Sequence, residues 1–225
     1  NATNNSTPEI QPLGIQATHI SINGNTLDNT NGQILGENVA MVNQTLINQD
    51  GQIIGRNIKA TASSQIDNSN GRIIADQVLD LDTPRLINTN GKAHANETLN
   101  LTTHGNYTAS GQISSANSLN LNVDQDFTNV SGNTLSAAGK LAINANNILN
   151  QTNATIAAGH TALTATNTIT NDGLIDGNLV ELRANTLINN NKIYGGTPEG
   201  EGGIVLGVDT FNNKENAVIA SRGNM

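Results

Sequence analysis

Leu46-Ile47-Asn48-Gln49-Asp50-Gly51-Gln52-Ile53 is the stretch that decides the fold, because its pattern returns about every twenty residues. Its glycine recurs as Gly32, Gly51, Gly71, Gly91, Gly111, Gly132 and Gly173, and Asn153 and Asn191 take the same place in the remaining units. The successive steps are 19, 20, 20, 20, 21, 21, 20 and 18 residues, a spacing that chance does not hold. A period of this length marks a solenoid, in which each unit is too small to bury its own apolar face and must stack on its neighbours.

Other columns travel with the glycine. Two residues after it stand Ile34, Ile53, Ile73, Ile113, Ile175 and Ile193. About ten residues after it stand Val42, Leu81, Leu101, Leu121, Leu163 and Leu182. Five before it stand Leu27, Leu46, Ile66, Leu86, Phe127 and Ile148, and three before it Asn29, Asn48, Asn68, Asn88, Asn129 and Asn150. Each unit thus carries three short apolar patches. Several alternate with period two, as in Leu119-Asn120-Leu121-Asn122-Val123, which sends the leucines to one face of a strand and the asparagines to the other. Three strands of three to five residues, joined by tight bends, account for one unit. The fold class expected is all-β: a right-handed parallel β-helix of about twenty residues per coil with three short strands in each. The Asn column reads as a ladder of side-chain amides bonded from coil to coil. The marker glycine is expected to supply a positive φ at a corner.

Composition agrees. The chain of 225 residues has two Phe, two Tyr and no Trp, too few aromatics for a compact core of that size. Asn, Gly and Thr abound, all poor helix formers, and no stretch keeps apolar residues at helical spacing for three turns. Leucine-rich repeats need denser leucine, calcium-binding nonapeptide arrays need Gly-Gly-x-Gly-x-Asp runs, and a β-sandwich does not repeat one motif nine times. The formal net charge of −8, with 10 Lys+Arg, argues against nucleic acid and anionic membrane surfaces. Cysteine is absent, which removes disulfides and thiolate metal sites. No run of eighteen apolar residues is present, and the opening Asn1-Ala2-Thr3-Asn4 is not a basic-then-apolar leader.

Four segments follow. Residues 1–18, with Pro8 and Pro12, match the motif poorly and read as an irregular lead-in or partial coil. Residues 19–194 are regular coils. Residues 195–203, Gly195-Gly196-Thr197-Pro198-Glu199-Gly200-Glu201-Gly202-Gly203, have no apolar side chain and read as a loop thrown out from one corner with the stack left intact. In residues 204–225 the pattern resumes, with Ile204-Val205-Leu206 as a strand, Phe211 in the leucine column and Asn213 in the ladder.

The repeats resemble the filamentous haemagglutinin repeats of large two-partner-secretion exoproteins, a group that includes the filamentous haemagglutinin adhesins and the CdiA-type contact-dependent growth inhibition proteins. The most specific match is Asn191-Lys192-Ile193-Tyr194-Gly195, then Phe211-Asn212-Asn213, then Ala217-Val218-Ile219-Ala220-Ser221-Arg222-Gly223-Asn224. The resemblance covers roughly residues 19–225 and implies a segment of a very long secreted rod at the bacterial cell surface. In that family an outer-membrane partner exports the chain unfolded, and the β-helix carries a receptor-binding region or a C-terminal toxin away from the cell. The lack of cysteine suits threading through an export pore. An export-domain signature is not evident. The implied product is a monomeric rod.

Chemistry-bearing residues are sparse. Asp80 and Asp82 alternate on one strand, as do Asp124 and Asp126, and the two pairs fall two coils apart on an outer face. A glycosidase pair needs carboxyls converging in a cleft, and the scarcity of aromatics argues against a sugar groove. His19, His94, His104 and His160 fall at different repeat positions and read as scattered surface histidines rather than a metal-ligand column. The sequons at Asn43, Asn96 and Asn106 are of the number so Asn- and Thr-rich a chain produces by chance. The Gly-rich loop has neither the Lys nor the following helix of a phosphate loop. Its acids, Glu199 and Glu201, are the candidate partner contacts. No catalytic residue, cofactor or metal is expected. The reading is of a structural stalk rather than an enzyme, with direct contact to a target-cell receptor as the competing function.

Overall fold

The computed structural model describes residues 14–222. Among them there is no helix, and every strand pairing is parallel. The chain winds as a β-solenoid in which equivalent Cα atoms stack coil on coil. Gly14, Gln33, Gln52, Arg72, Lys92 and Gln112 form one continuous column. The Ser114–Ser136 pairing carries the register onward to Thr134, Thr155, Leu174, Lys192 and Val218. Three separate strands per coil appear in the middle of the stack, as Lys92–Ala95, Thr98–Thr103 and Tyr107–Ala109. Toward both ends the three fuse into single bent strands such as Gln52–Asp67 and Thr134–Asn150. Those strands turn their corners at register shifts, for example between Ala145 and Asn147, where an extra residue bends the backbone without ending the ladder. Of the lead-in, residues 1–13 lie outside the described part. Gly14–Gln16 is already a strand paired with Gln33–Leu35.

Aliphatic columns fill the interior, one of them Ile20, Val39, Ile58, Leu79, Leu99, Leu119 and Leu141, and three more as follows. Leu81, Leu101, Leu121, Ile143, Leu163 and Leu182 stack in register, and all are at most 2% exposed. Below Leu81 the column continues with Ala60 and Met41, not with Val42, which faces outward and is 54% exposed. Counting ten residues from Gly32 slips by one there, and in a strand a slip of one turns a side chain to the opposite face. Ile34, Ile53 and Ile73 form the second column. The third runs through Leu46, Ile66 and Leu86, and later through Tyr107, Phe127, Ile148, Ile169 and Leu187. Tyr107, one residue off the counted spacing, is one of its members. Its ring meets that of Phe127 at 6.0 Å between centroids.

Beside the aliphatic columns runs the amide ladder. Each Asn Nδ2 donates to the Oδ1 of the Asn one coil later: Asn29 to Asn48, Asn48 to Asn68 and Asn68 to Asn88, all at 2.7 Å. It resumes from Asn129 to Asn150 to Asn171 to Asn189 at 2.9 Å, and ends at Asn213. The same Nδ2 also donates to a backbone carbonyl farther along, as Asn48 does to that of Arg72 at 3.2 Å. Ala109 holds the ladder position in the coil between Asn88 and Asn129, so the ladder is broken there. Asn88 Nδ2 keeps its bond to the Gln112 carbonyl and donates instead of a rung to that of Ser110, and Asn129 Oδ1 accepts from Asn133 Nδ2.

The marker glycine has a different job from the one its sequence suggests. Positive φ falls on the residue before it, at Asn31, Asp50, Asn70 and Asn90, with values of 53° to 56°. The glycine is required because a Cβ would have nowhere to go. At Gly71 it would lie 2.0 Å from the Asn48 carbonyl oxygen, and at Gly91 2.1 Å from that of Asn68. Gly132 and Asn153 themselves take the positive-φ place, because the turns after Asn129 and Asn150 are one residue longer. After Ala109 the turn is one residue shorter, and Gly111 carries φ of 73°. These differences in corner length, together with the register shifts at the other corners, produce the drift in the period.

Candidate functional site

The insertion between the strands Lys192–Gly195 and Gly203–Asn213 carries the two acids singled out from sequence. It leaves and rejoins the stack at backbone contacts. Gly196 N donates to the Asn178 carbonyl at 2.7 Å, and a Cβ on Gly202 would lie 1.9 Å from that same oxygen. Gly196, Gly200, Gly202 and Gly203 all have positive φ, a run of conformations that side-chain-bearing residues resist. Thr197 organises the turn. Its N–H donates to the Glu201 carbonyl at 2.8 Å, its carbonyl accepts from Gly200 N at 3.0 Å, and its Oγ1 accepts from Glu201 N at 3.2 Å. Glu199 and Glu201 therefore project from one turn, both exposed, in solvent beside the solenoid.

A clasp that the sequence reading missed closes the base of that loop. Arg222 N donates to the Gly195 carbonyl at 2.8 Å. The Arg222 guanidinium reaches back two coils to the Asp176 carboxylate and lies 5.5 Å over the Tyr194 ring. Asp176, Tyr194 and Ala220 stack in one outer column, so Arg222 sits two residues past the column and folds over it.

The histidines are not all isolated. His94 Nδ1 meets Ser114 Oγ at 2.9 Å, and His160 Nε2 meets Glu181 Oε2 at 2.9 Å. His104 Nε2 lies 2.8 Å from Asp82 in the coil below, and its Nδ1 lies 3.0 Å from Asp124 in the coil above. Asp124 and then Asp82 hold the His104 imidazolium, raising its pKa above the ordinary histidine value. The carboxylates expected two coils apart are thus both bonded to one imidazole ring. Asp80 accepts from Asn100 at 2.7 Å and Asp126 from Asn147 at 2.7 Å. No group of three or more His, Asp or Glu among the described residues is arranged to hold a metal ion. A shallow trough lined by His19, Asn38, Ala40, Lys59 and Asp80 runs over the first four coils.

Outward columns elsewhere are laced by amides, as in Asn120 to Asn100 at 2.8 Å and Asn144 to Asn122 at 2.9 Å. The haemagglutinin repeat matches residues 12–83, 78–131 and 128–225, nearly the whole chain.

The chain belongs to the haemagglutinin-repeat family.

No curated protein and no solved structure gives a significant match to this haemagglutinin-repeat chain. Membership places it among structural and adhesive repeat proteins. No helix among the described residues is long and apolar enough to cross a membrane.

Proposed function

We propose that this haemagglutinin-repeat chain is a stalk segment of a large secreted exoprotein at the bacterial surface, exported by an outer-membrane two-partner-secretion transporter, and that its product is length. One observation carries this reading: parallel pairing links every coil to the next from Gly14 to Ser221, and the Lys192 coil absorbs an insertion without losing either flanking pairing. The outer columns support it, since their amides and carboxylates are bonded to each other from coil to coil. The test is cell attachment by the isolated chain. A stalk does not bind target cells, and in the intact exoprotein duplication of one coil changes reach while leaving activity in place.

The second reading is direct contact with a target-cell receptor through the 195–203 loop. What favours it is that the loop is ordered by Thr197 and its base is clasped by Arg222, while Glu199 and Glu201 are left exposed. Glu199→Gln together with Glu201→Gln separates the two readings. The pair leaves the fold unchanged, and abolishes attachment only if the loop is the contact. The growth-inhibition and adhesin forms of the stalk are distinguished by what the full exoprotein carries at its far end.

A further inference from the structure

The coil Lys92–Gly111 differs from its neighbours in two ways that coincide. Inside, Ala109 takes the place of the ladder asparagine, so neither the interface with the Asn88 coil below nor that with the Asn129 coil above has an Asn-to-Asn rung, and the lower one is crossed by Asn88 Nδ2 donating to the Ser110 carbonyl at 3.4 Å. The hydroxyls of Thr103 and Tyr107, both in this coil, are buried with no protein partner. Outside, His104 spans the same two interfaces, contacting Asp82 below and Asp124 above, alongside the Asn120–Asn100–Asp80 bonds that also cross them. An ionised carboxylate only accepts hydrogen bonds, so both contacts are satisfied together only when both ring nitrogens carry a proton. A neutral ring donates to one carboxylate and turns a lone pair toward the other. The charged groups facing the ring are these two carboxylates.

We propose that Asp82–His104–Asp124 is a proton-dependent clasp that replaces the missing ladder rung, making Lys92–Gly111 a seam that tightens in acid and loosens as pH rises. The sign follows from linkage. The two carboxylates raise the folded-state affinity of His104 for its proton, so the clasp's contribution is complete below the unfolded histidine value and is lost as pH climbs through the folded one. All three side chains are about half exposed, which keeps the effect small and local rather than global.

Native-state hydrogen exchange of the whole chain tests it, at pH 5.5 and 8.5 with intrinsic rates corrected. The amides of Thr98–Thr103 and Tyr107–Ala109 should lose about two- to fivefold protection relative to those of Gln52–Asp67, in the range set by exposed ion pairs. His104→Gln, and separately Asp82→Asn with Asp124→Asn, should remove that difference. Ala109→Asn, which restores an inner rung, should shrink it while His104 still titrates above its ordinary range by NMR. An equal loss across all coils, or the same loss in His104→Gln, overturns the proposal, as does a His104 ring that titrates at the ordinary value.

Discussion

Replacing Asn68 with alanine removes three buried bonds from the ladder at once. Asn68 Nδ2 gives up its contacts to Asn88 Oδ1 at 2.7 Å and to the Lys92 carbonyl at 3.2 Å, and Asn48 Nδ2 loses Asn68 Oδ1 at 2.7 Å. A buried neutral hydrogen bond is worth about 1 kcal/mol net, and each orphaned buried group adds about 1–3 kcal/mol. Asn48 keeps the Arg72 carbonyl and so is only partly orphaned, whereas Asn88 Oδ1 is left without its donor. The expected loss is about 3–5 kcal/mol. Asn68→Asp, which keeps the shape but exchanges the donor for a buried charge, should be at least as damaging. Asn120→Ala is the control, since it breaks one half-exposed bond to Asn100 and should cost less than about 1 kcal/mol. Urea unfolding gives the midpoints, and local exchange around Gly51, Gly71 and Gly91 shows where the damage sits, because each coil of a solenoid contacts only its neighbours. Ala109 shows that alanine is tolerated at this position when the turn is remade around it. Equal, small losses for Asn68→Ala and Asn120→Ala would mean that the ladder is a by-product of packing rather than a source of stability.

Leu101 is fully buried between Leu81 and Leu121, so Leu101→Ala should cost about 2–5 kcal/mol in the same assay; a cost under about 1 kcal/mol would contradict its inward placement. Gly71→Ala forces a methyl to within 2.0 Å of the Asn48 carbonyl and should separate the corner, visible as exchange of the Asn68 and Gly71 amides. Gly132→Ala meets no atom within 4 Å and carries only the strain of a positive φ, about 1 kcal/mol, so the two glycine variants should differ sharply in melting temperature. Small-angle scattering should give a rod, since about ten coils at about 4.8 Å each yield roughly 45–55 Å of axial length; a globular profile would exclude the stack.

The period, the aliphatic columns and the amide ladder were readable because a solenoid writes each contact as a spacing. What failed were the places where spacing and register part company. Val42 was placed inward by counting from Gly32, yet alternation with Met41 decides its face. The marker glycine looked like a turn residue, and only the stacked carbonyl of the coil below shows that it is a close-approach residue. Tyr107 was overlooked because the turn after Ala109 is short, which moves it one place from the counted column. The His104 clasp had a signal in the sequence: Asp82 and Asp124 stand 22 and 20 residues away, each about one coil. Comparing each histidine with the residues one coil before and after it would have found the pair. Searching the four histidines only for one another could not. The loop's acids were found by composition, while Arg222 was not, because its partner Asp176 lies 46 residues back.

The inner ladder has a direction. Every rung donates forward: Asn48 donates within its own turn to the Gly51 carbonyl, then to Asn68 and to the Arg72 carbonyl twenty-four residues ahead. A chain delivered N-terminus first would therefore carry at its folding front a coil whose inter-coil acceptors have yet to arrive with the next coil and the first residue of the one beyond. Each completed turn is a template whose unmet donors specify where the next asparagine oxygen must land. The polarity of the side-chain amides thus gives the ladder a direction, with donors facing the coils that synthesis adds later.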